Sequence, residues 1–354
     1  MNLFNIYLPV AGIEFSAVLL LLIGFCVGVM GGFFGVGGGW MITPALNIFG
    51  FHMAFAIGTP LASIFGQSLG AVKKHQRMGN VDWKLGLISI ITSVIGLEIG
   101  SRTILALEKA GDVGTVVRWC YIFLLSGLGI YMLYDYFVIH PKNLKLIQEG
   151  NATNINYVSR SKISEKLHNI NLPPMISFPA SDIDGVSLWI ILFIFLITGF
   201  LSGFMGVGGG FIIIPVLVYL IGLPTTIAVG TSLVTVLFTA AYGCFTYGLK
   251  GRVELLAALI MLIGASVGAQ IGATAVKYIK GYGIRLLFAI MIVFASFSVT
   301  TEQIYKISMK PFFQSFAGIV LMSSALSITI IIIGKLVIES RKERAIEIHP
   351  ITKA

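Results

Sequence analysis

The residues best suited to chemistry in this chain are glycines. The octapeptide Gly32-Phe-Phe-Gly-Val-Gly-Gly-Gly39, followed by Pro44, recurs as Gly203-Phe-Met-Gly-Val-Gly-Gly-Gly210, followed by Pro215. A residue without Cβ reaches φ > 0 and lets its N–H approach a ligand closely. Successive N–H groups in such a bend form a concavity that holds an anion. A helix starting directly afterwards adds the positive end of its dipole. Gly37, Gly38 and Gly39, with Gly208, Gly209 and Gly210, are therefore candidate substrate contacts. Close helix packing through small residues is the competing explanation. Two matched copies, each with a following proline, favour the anion cradle. A dinucleotide fingerprint is a false lead, because no strand precedes the glycines and no βαβ unit fits. No cofactor is expected.

Hydroxyl groups form the second constellation, in Gly58-Thr59-Pro60 and Gly230-Thr231-Ser232. Thr59, Thr231 and Ser232 can donate to an oxyanion without a buried countercharge; the alternative is back-bonding to helix carbonyls. Glu98 and Arg102 stand four apart inside an apolar segment, where the second copy carries Gln270 and Thr274. Ionisable residues inside a membrane are expensive and suggest a function. At this spacing the two also neutralise each other along one helix face, which is the favoured reading. The alternatives are a proton-coupling carboxylate at Glu98 and an anion-attracting cation at Arg102. His52 sits in a turn and is given no chemical role.

The likeness between the two halves extends well past the octapeptide. Ala56-Ile-Gly-Thr-Pro-Leu61 aligns with Ala228-Val-Gly-Thr-Ser-Leu233, Gly79-Asn-Val-Asp82 with Gly251-Arg-Val-Glu254, and Val94–Gly100 with Val267–Gly272. The chain is a duplicated unit. Five segments precede the second copy, so its helices would enter from the opposite face. That is the inverted-topology repeat of many secondary transporters, whose substrate sites lie mid-membrane at short, Gly/Pro-interrupted segments.

Composition sets the elements that must carry these residues. Of 354 residues, 56% are hydrophobic and only 11% charged, and the mean hydropathy is +0.94. A soluble domain carries about 25% charged residues, so a soluble enzyme is excluded. No Asp, Glu, Lys or Arg occurs between Phe15 and Val72, nor between Gly185 and Leu249. About 20 apolar residues cross a bilayer, so each stretch is long enough for nearly three passes. The fold class is an all-α polytopic membrane protein. Eleven segments are predicted, over 13–30, 33–50, 54–72, 85–107, 118–138, 187–205, 211–222, 226–248, 254–278, 284–300 and 312–338. The second and seventh are short enough to be half-helices.

The predicted organisation is a first transmembrane repeat (13–138), a cytoplasmic linker (139–186), a second repeat with an extra helix (187–338) and a cytoplasmic tail (339–354). If every segment crosses, one side collects most of the Lys and Arg, including Lys73, Lys74 and Arg77 and the tail run Arg341-Lys342-Glu343-Arg344. Lys109, Arg118, Lys250, Arg252, Lys306 and Lys310 fall on the other; Arg285 is counted on the first. The positive-inside rule then places the N-terminus outside and the tail in the cytoplasm. The same bias accounts for the net charge of +9 without nucleic acid as a partner. Cys26, Cys120 and Cys244 have no metal or redox spacing and read as small core residues.

The doubled Gly-x-x-Gly-Val-Gly-Gly-Gly-x-x-x-x-Pro, the Gly-Thr-[Pro/Ser]-Leu block and His75-x-x-x-Gly79-Asn-Val-Asp-Trp83 resemble the TauE/SafE family of sulfite/organosulfonate exporters. The similarity runs from about Glu14 to Ile333, outside the central linker. It implies a permease of the cytoplasmic membrane for small sulfur-containing anions, often an exporter. The second repeat departs from the first at Pro60, replaced by Ser232, and at His75, whose place Tyr247 takes. The combined expectation is a secondary transporter working by alternating access, with H+ or Na+ as coupling ion and the lipid bilayer as surroundings. Its rivals are a passive anion channel on the same scaffold and an intramembrane enzyme. The apolar segments hold no His/Ser constellation and no Asp pair to support the enzyme.

Overall fold

The computed structural model describes residues 4–141, 172–181, 183–279 and 281–348, with Ser164, Leu167 and Ile170. Most of the predicted linker, and the end of the predicted tail, lie outside the described residues. Eleven α-helices account for most of the rest. A short hairpin, β1 (Asn5–Leu8) with β2 (Ile13–Ser16), leads into the first half. That half comprises α1 (Ala17–Phe34), α2 (Gly39–Ile48), α3 (Met53–Arg77), α4 (Trp83–Ala110) and α5 (Val113–Tyr134). A second hairpin, β3 (Met175–Phe178) with β4 (Ile183–Ser187), leads into the second half. There follow α6 (Leu188–Met205), α7 (Gly210–Pro215), α8 (Thr225–Leu249), α9 (Leu255–Ala275) and α10 (Tyr282–Ser308), with α11 (Pro311–Ile348) added.

Nine of the helices are long and apolar enough to cross a membrane. The exceptions are α2 and α7, the two predicted short segments. With ten residues, α2 spans about 15 Å at 1.5 Å per residue, half the hydrocarbon thickness of about 30 Å. Helix α7 has six residues and then widens into a π-helical turn over Val216–Ile221. Pro215 sits at that junction, where its missing N–H and its ring disturb the regular ladder. Helix α11 continues without a break past 338, the predicted end of the hydrophobic segment.

The two halves are interlocked through glycine-lined helix pairs. A Cβ at Gly24, Gly28 or Gly32 of α1 would strike the backbone of Met261, Ala265 or Ala269 of α9. Gly264, Gly268 and Gly272 of α9 meet the backbone of α1 in return. The other pair repeats the arrangement: Gly96 and Gly100 of α4 abut Leu196 and Phe200 of α6, and Gly199 and Gly203 of α6 abut Ser93 and Leu97. Small residues permit such close backbone approach, the main source of helix association in lipid. The rising order of partners makes α1 parallel to α9, and α4 parallel to α6. Helices α3 and α8, which carry equivalent sequences, run antiparallel. Gly58 near the start of α3 packs on Arg252 just past the end of α8, and Gly230 near the start of α8 packs on Asn80 just past α3.

Each hairpin is held by the opposite half. The Glu254 carboxylate accepts the N–H groups of Val10 (2.7 Å) and Ala11 (2.8 Å). Asp82, its counterpart, accepts from the Ser181 hydroxyl at 2.7 Å while capping α4 at the Leu85 N–H.

Candidate functional site

The glycine motifs form two loops of the same conformation. Gly35, Gly37 and Gly38 have φ of 77°, 73° and 86°; Gly206, Gly208 and Gly209 have 70°, 68° and 83°. The first glycine of each set ends α1 or α6 in the left-handed region, and the last precedes α2 or α7. All residues of both loops are buried. The loops touch each other: a Cβ at Gly39 would lie 2.7 Å from the Gly206 carbonyl oxygen, and one at Gly210 would strike Val36. A Cβ at Gly37 would meet Val236 of α8 at 2.7 Å and Ile64 of α3 at 2.8 Å. Both residues stand near the middle of their helices, so the loops lie midway along the antiparallel α3–α8 pair.

The hydrogen bonding of the loops is one-sided. The glycine carbonyls are taken: Gly37 accepts from the Gln67 side-chain amide and Gly208 from the Thr239 hydroxyl (2.9 Å). Gly35 accepts from the Ser232 hydroxyl at 2.7 Å, and Gly206 from Thr43 at 3.4 Å. Pro60, at the place equivalent to Ser232, has no hydroxyl to give. Among the described residues no acceptor takes the N–H groups of Gly37, Gly38 and Gly39 or of Gly208, Gly209 and Gly210. Buried backbone donors are rarely left so. Around the loops, Ser63 Oγ, Gln67 Oε1 and Ser68 Oγ on α3, and Ser202 Oγ on α6, are also buried without partners. Six amide donors and several hydroxyls thus lie in and around the loops, beside one amide oxygen, Gln67 Oε1, a set rich in donors for an oxyanion.

One shell further out, His75 Nε2–H donates to the Gly32 carbonyl (3.0 Å), and Tyr247 donates to Gly203 at 2.7 Å. The residue pair noted in the sequence as unlike therefore performs one task, holding the last turn before each loop. His75, flanked by the Lys73, Lys74 and Arg77 counted for sidedness, is fully buried. Thr59 and Thr231 are buried at the opposite ends of α3 and α8. The Thr59 hydroxyl accepts the Glu254 N–H at 3.0 Å, and Thr231 accepts the Asp82 N–H at 2.9 Å. Each binds the backbone that opens α9 or α4 of the other half, and each retains its own O–H proton for donation.

Glu98 and Arg102 form the predicted i, i+4 ion pair, with Arg102 Nε 2.7 Å from Glu98 Oε1. The Arg102 side chain is 76% exposed, on the face of α4 that also bears the exposed Ile91, Ile95 and Ile99. Tyr242 of α8 donates to the second Glu98 oxygen at 3.2 Å. The pair is not brought to the glycine loops.

Sequence reasoning counted Arg118 and Arg285 among loop charges; both are buried inside the bundle. Helices α5 and α10 pack antiparallel, with Ser126 bonded to Ser296 at 2.7 Å near the crossing. At one end Arg118 Nε donates to Gln303 Oε1 (2.7 Å), and its Nη1 to Asn47 Oδ1 (3.2 Å), with Glu302 buried beside them. At the other end Arg285 lies 3.4 Å from Asp135, which also accepts from Tyr219 at 2.9 Å. The signal was in the sequence: an acid follows each arginine at one spacing, 118 to 135 and 285 to 302.

An interlocked bundle of apolar helices around two broken, glycine-lined crossings defines a multi-pass membrane protein of transporter type. Residues 20–299 match the sulfite exporter TauE/SafE family, and the chain belongs to that family. It is similar to the probable membrane transporter protein YunE of Bacillus subtilis, 26% identical over 299 residues, 82% of this chain and 100% of the relative. A probable membrane transporter protein of Methanocaldococcus jannaschii is 27% identical over 287 residues, 77% of this chain and 90% of the relative. No solved structure matches the chain.

Proposed function

We propose that this protein is a secondary transporter that moves a small sulfur-containing anion, sulfite or an organosulfonate, across the cytoplasmic membrane by alternating access. One observation carries the reading: six buried N–H groups without acceptors among the described residues, in two left-handed glycine loops at the middle of an antiparallel helix pair. Gly37, Gly38 and Gly39 with Gly208, Gly209 and Gly210 hold the oxyanion, and its charge is met by amide dipoles and the starts of α2 and α7. Thr59, Thr231 and Ser232 line the ends of the same helices and contribute hydroxyl donors as the loops part. The antiparallel course of α3 and α8 supports two repeats of inverted topology. The bias of Lys and Arg supports a cytoplasmic tail and linker.

The two loops abut, so on this reading a substrate reaches their amides only as the halves separate toward one side. Liposomes loaded with sulfite test this. Efflux above protein-free vesicles, altered by an imposed pH or sodium gradient, is expected. Gly38→Val and Gly209→Val should each abolish it while the protein still inserts; undiminished flux in both removes the cradle. Flux that never accumulates sulfite against its gradient, whatever ion gradient is applied, identifies a channel instead.

A further inference from the structure

The end of the bundle where α5 begins carries a second constellation, well away from the glycine loops. A cavity of about 420 Å³ opens there, lined among others by His52, Gly114, Thr115, Arg118 and Lys306. Asp112 precedes α5 but gives no side-chain bond to its first turn. The N–H groups of that turn, unpaired in any helix, are therefore available to the cavity, and the helix dipole adds its positive end. Arg118 follows one turn on. Its guanidinium lies over Gly114, where a Cβ would stand 3.1 Å from Nη1 and 3.4 Å from Nη2.

The partners of Arg118 are the second, independent observation. The residue is 7% exposed, yet both its hydrogen bonds go to neutral amide oxygens, on Gln303 and Asn47. No carboxylate reaches ion-pair distance of it among the described residues, whereas Arg285 at the opposite end has Asp135. Glu302 acts on Arg118 and Lys306 only across space, and its Oε1 is itself without a partner. A buried guanidinium without an anion in contact is costly. Lys306, exposed on the cavity wall and in no ion pair among the described residues, adds a second positive charge.

We propose that this cavity binds an oxyanion group, held by Arg118, by the first-turn amides of α5 and by Lys306. The volume admits a small oxyanion with several waters of about 30 Å³ each, or the headgroup phosphate of a lipid. Arg supplies a planar fork that matches two oxygens of such a group. The site rests on the membrane-spanning fold and not on the chemistry of the central loops.

Titration calorimetry of the full-length protein in uncharged detergent, with sodium sulfite and then sodium phosphate, tests it. Wild-type binding is expected. Arg118→Gln should weaken it at least tenfold, and Arg118→Lys less. Lys306→Gln, an exposed change that leaves the fold intact, should weaken binding severalfold and flatten its salt dependence. A short-chain phosphatidylglycerol added as competitor separates the sources: displacement of sulfite assigns the site to a headgroup phosphate, and no displacement to a free oxyanion. Gly38→Val should retain this binding while losing flux, which distinguishes failure here from failure of the central site. Absence of binding in the wild type, or affinity unchanged from the wild type in both Arg118→Gln and Lys306→Gln, overturns the proposal.

Discussion

Helices α3 and α8 occupy equivalent places in the two halves, pass the same pair of loops and differ in what they leave unsatisfied. Ser63, Gln67, Ser68 and His75 of α3 correspond to Thr235, Thr239, Ala240 and Tyr247 of α8. Each of the four on α3 has a buried polar atom without a partner, and no side chain of α8 has one. Thr235 is bonded to Ser89 at 2.6 Å, Thr239 to Gly208, and Tyr247 to Gly203. Buried orphan groups are rare in native proteins and cluster where a ligand or water completes them. Duplication thus preserved the backbone of the cradle in both halves, while the side-chain shell around it became specialised. On the proposed function both loops offer amides to the anion, and the first half alone sets unpartnered polar atoms of its α3 beside them.

The sharpest test of that division is a pair of alanines. Gly38 and Gly209 both have left-handed φ, which costs a residue with a Cβ about 1–2 kcal/mol. At Gly38 the added carbon also overlaps the Val27 side chain, whereas at Gly209 it finds Ser202 Cβ at 3.4 Å and Ile213 Cδ1 at 3.2 Å. Sulfite efflux should vanish in Gly38→Ala and fall about tenfold, one such increment, in Gly209→Ala. Equal losses would break the comparison.

Next in size is the exchange of Gln67→Leu against Thr239→Val. Losing a buried hydrogen-bond partner costs about 1–3 kcal/mol at either place. Only Gln67 keeps a second side-chain N–H beyond its bond to Gly37, a donor for an anion, so KM for sulfite should rise tenfold or more in Gln67→Leu and stay within a few fold in Thr239→Val. Tyr247→Phe strips the Gly203 carbonyl of its donor. It should lower the thermal midpoint by a few degrees, in line with about 2–4 °C per kcal/mol, with KM unchanged; His75→Phe should shift both. The smallest effect is expected at Glu98→Gln. An exposed helical pair contributes little, and flux with its gradient dependence should persist. Loss of gradient dependence in that variant would instead give the pair a coupling role.

Much of the fold was legible in the sequence because duplication prints the same constraint twice. Gly35–Pro44 and Gly206–Pro215 marked both broken crossings, and the shortness of α2 and α7 was visible in segments 33–50 and 211–222. Val81-Asp82 and Val253-Glu254 aligned, but their hold on the opposite hairpin did not show, because a bond such as Glu254 to Val10 leaves no periodic trace. The buried arginines of α5 and α10 were missed for another reason. Counting Lys and Arg for sidedness treats every cation as a loop residue, and Arg118 and Arg285 lie just inside their helices. The burial of His75 was hidden likewise, since its neighbours Lys73, Lys74 and Arg77 were counted as loop charges.

The glycine seams also dictate how the molecule must be born. Gly24 of α1 has its seat on Met261 of α9, and Gly96 of α4 on Leu196 of α6. A nascent chain that has delivered only its first five helices therefore owns half of every seam and none complete. Those helices must wait in the bilayer, loosely associated, until the second half emerges from the ribosome and slots between them. A truncated first half should accordingly be a substrate for membrane quality control, and the two halves expressed as separate chains should rescue each other.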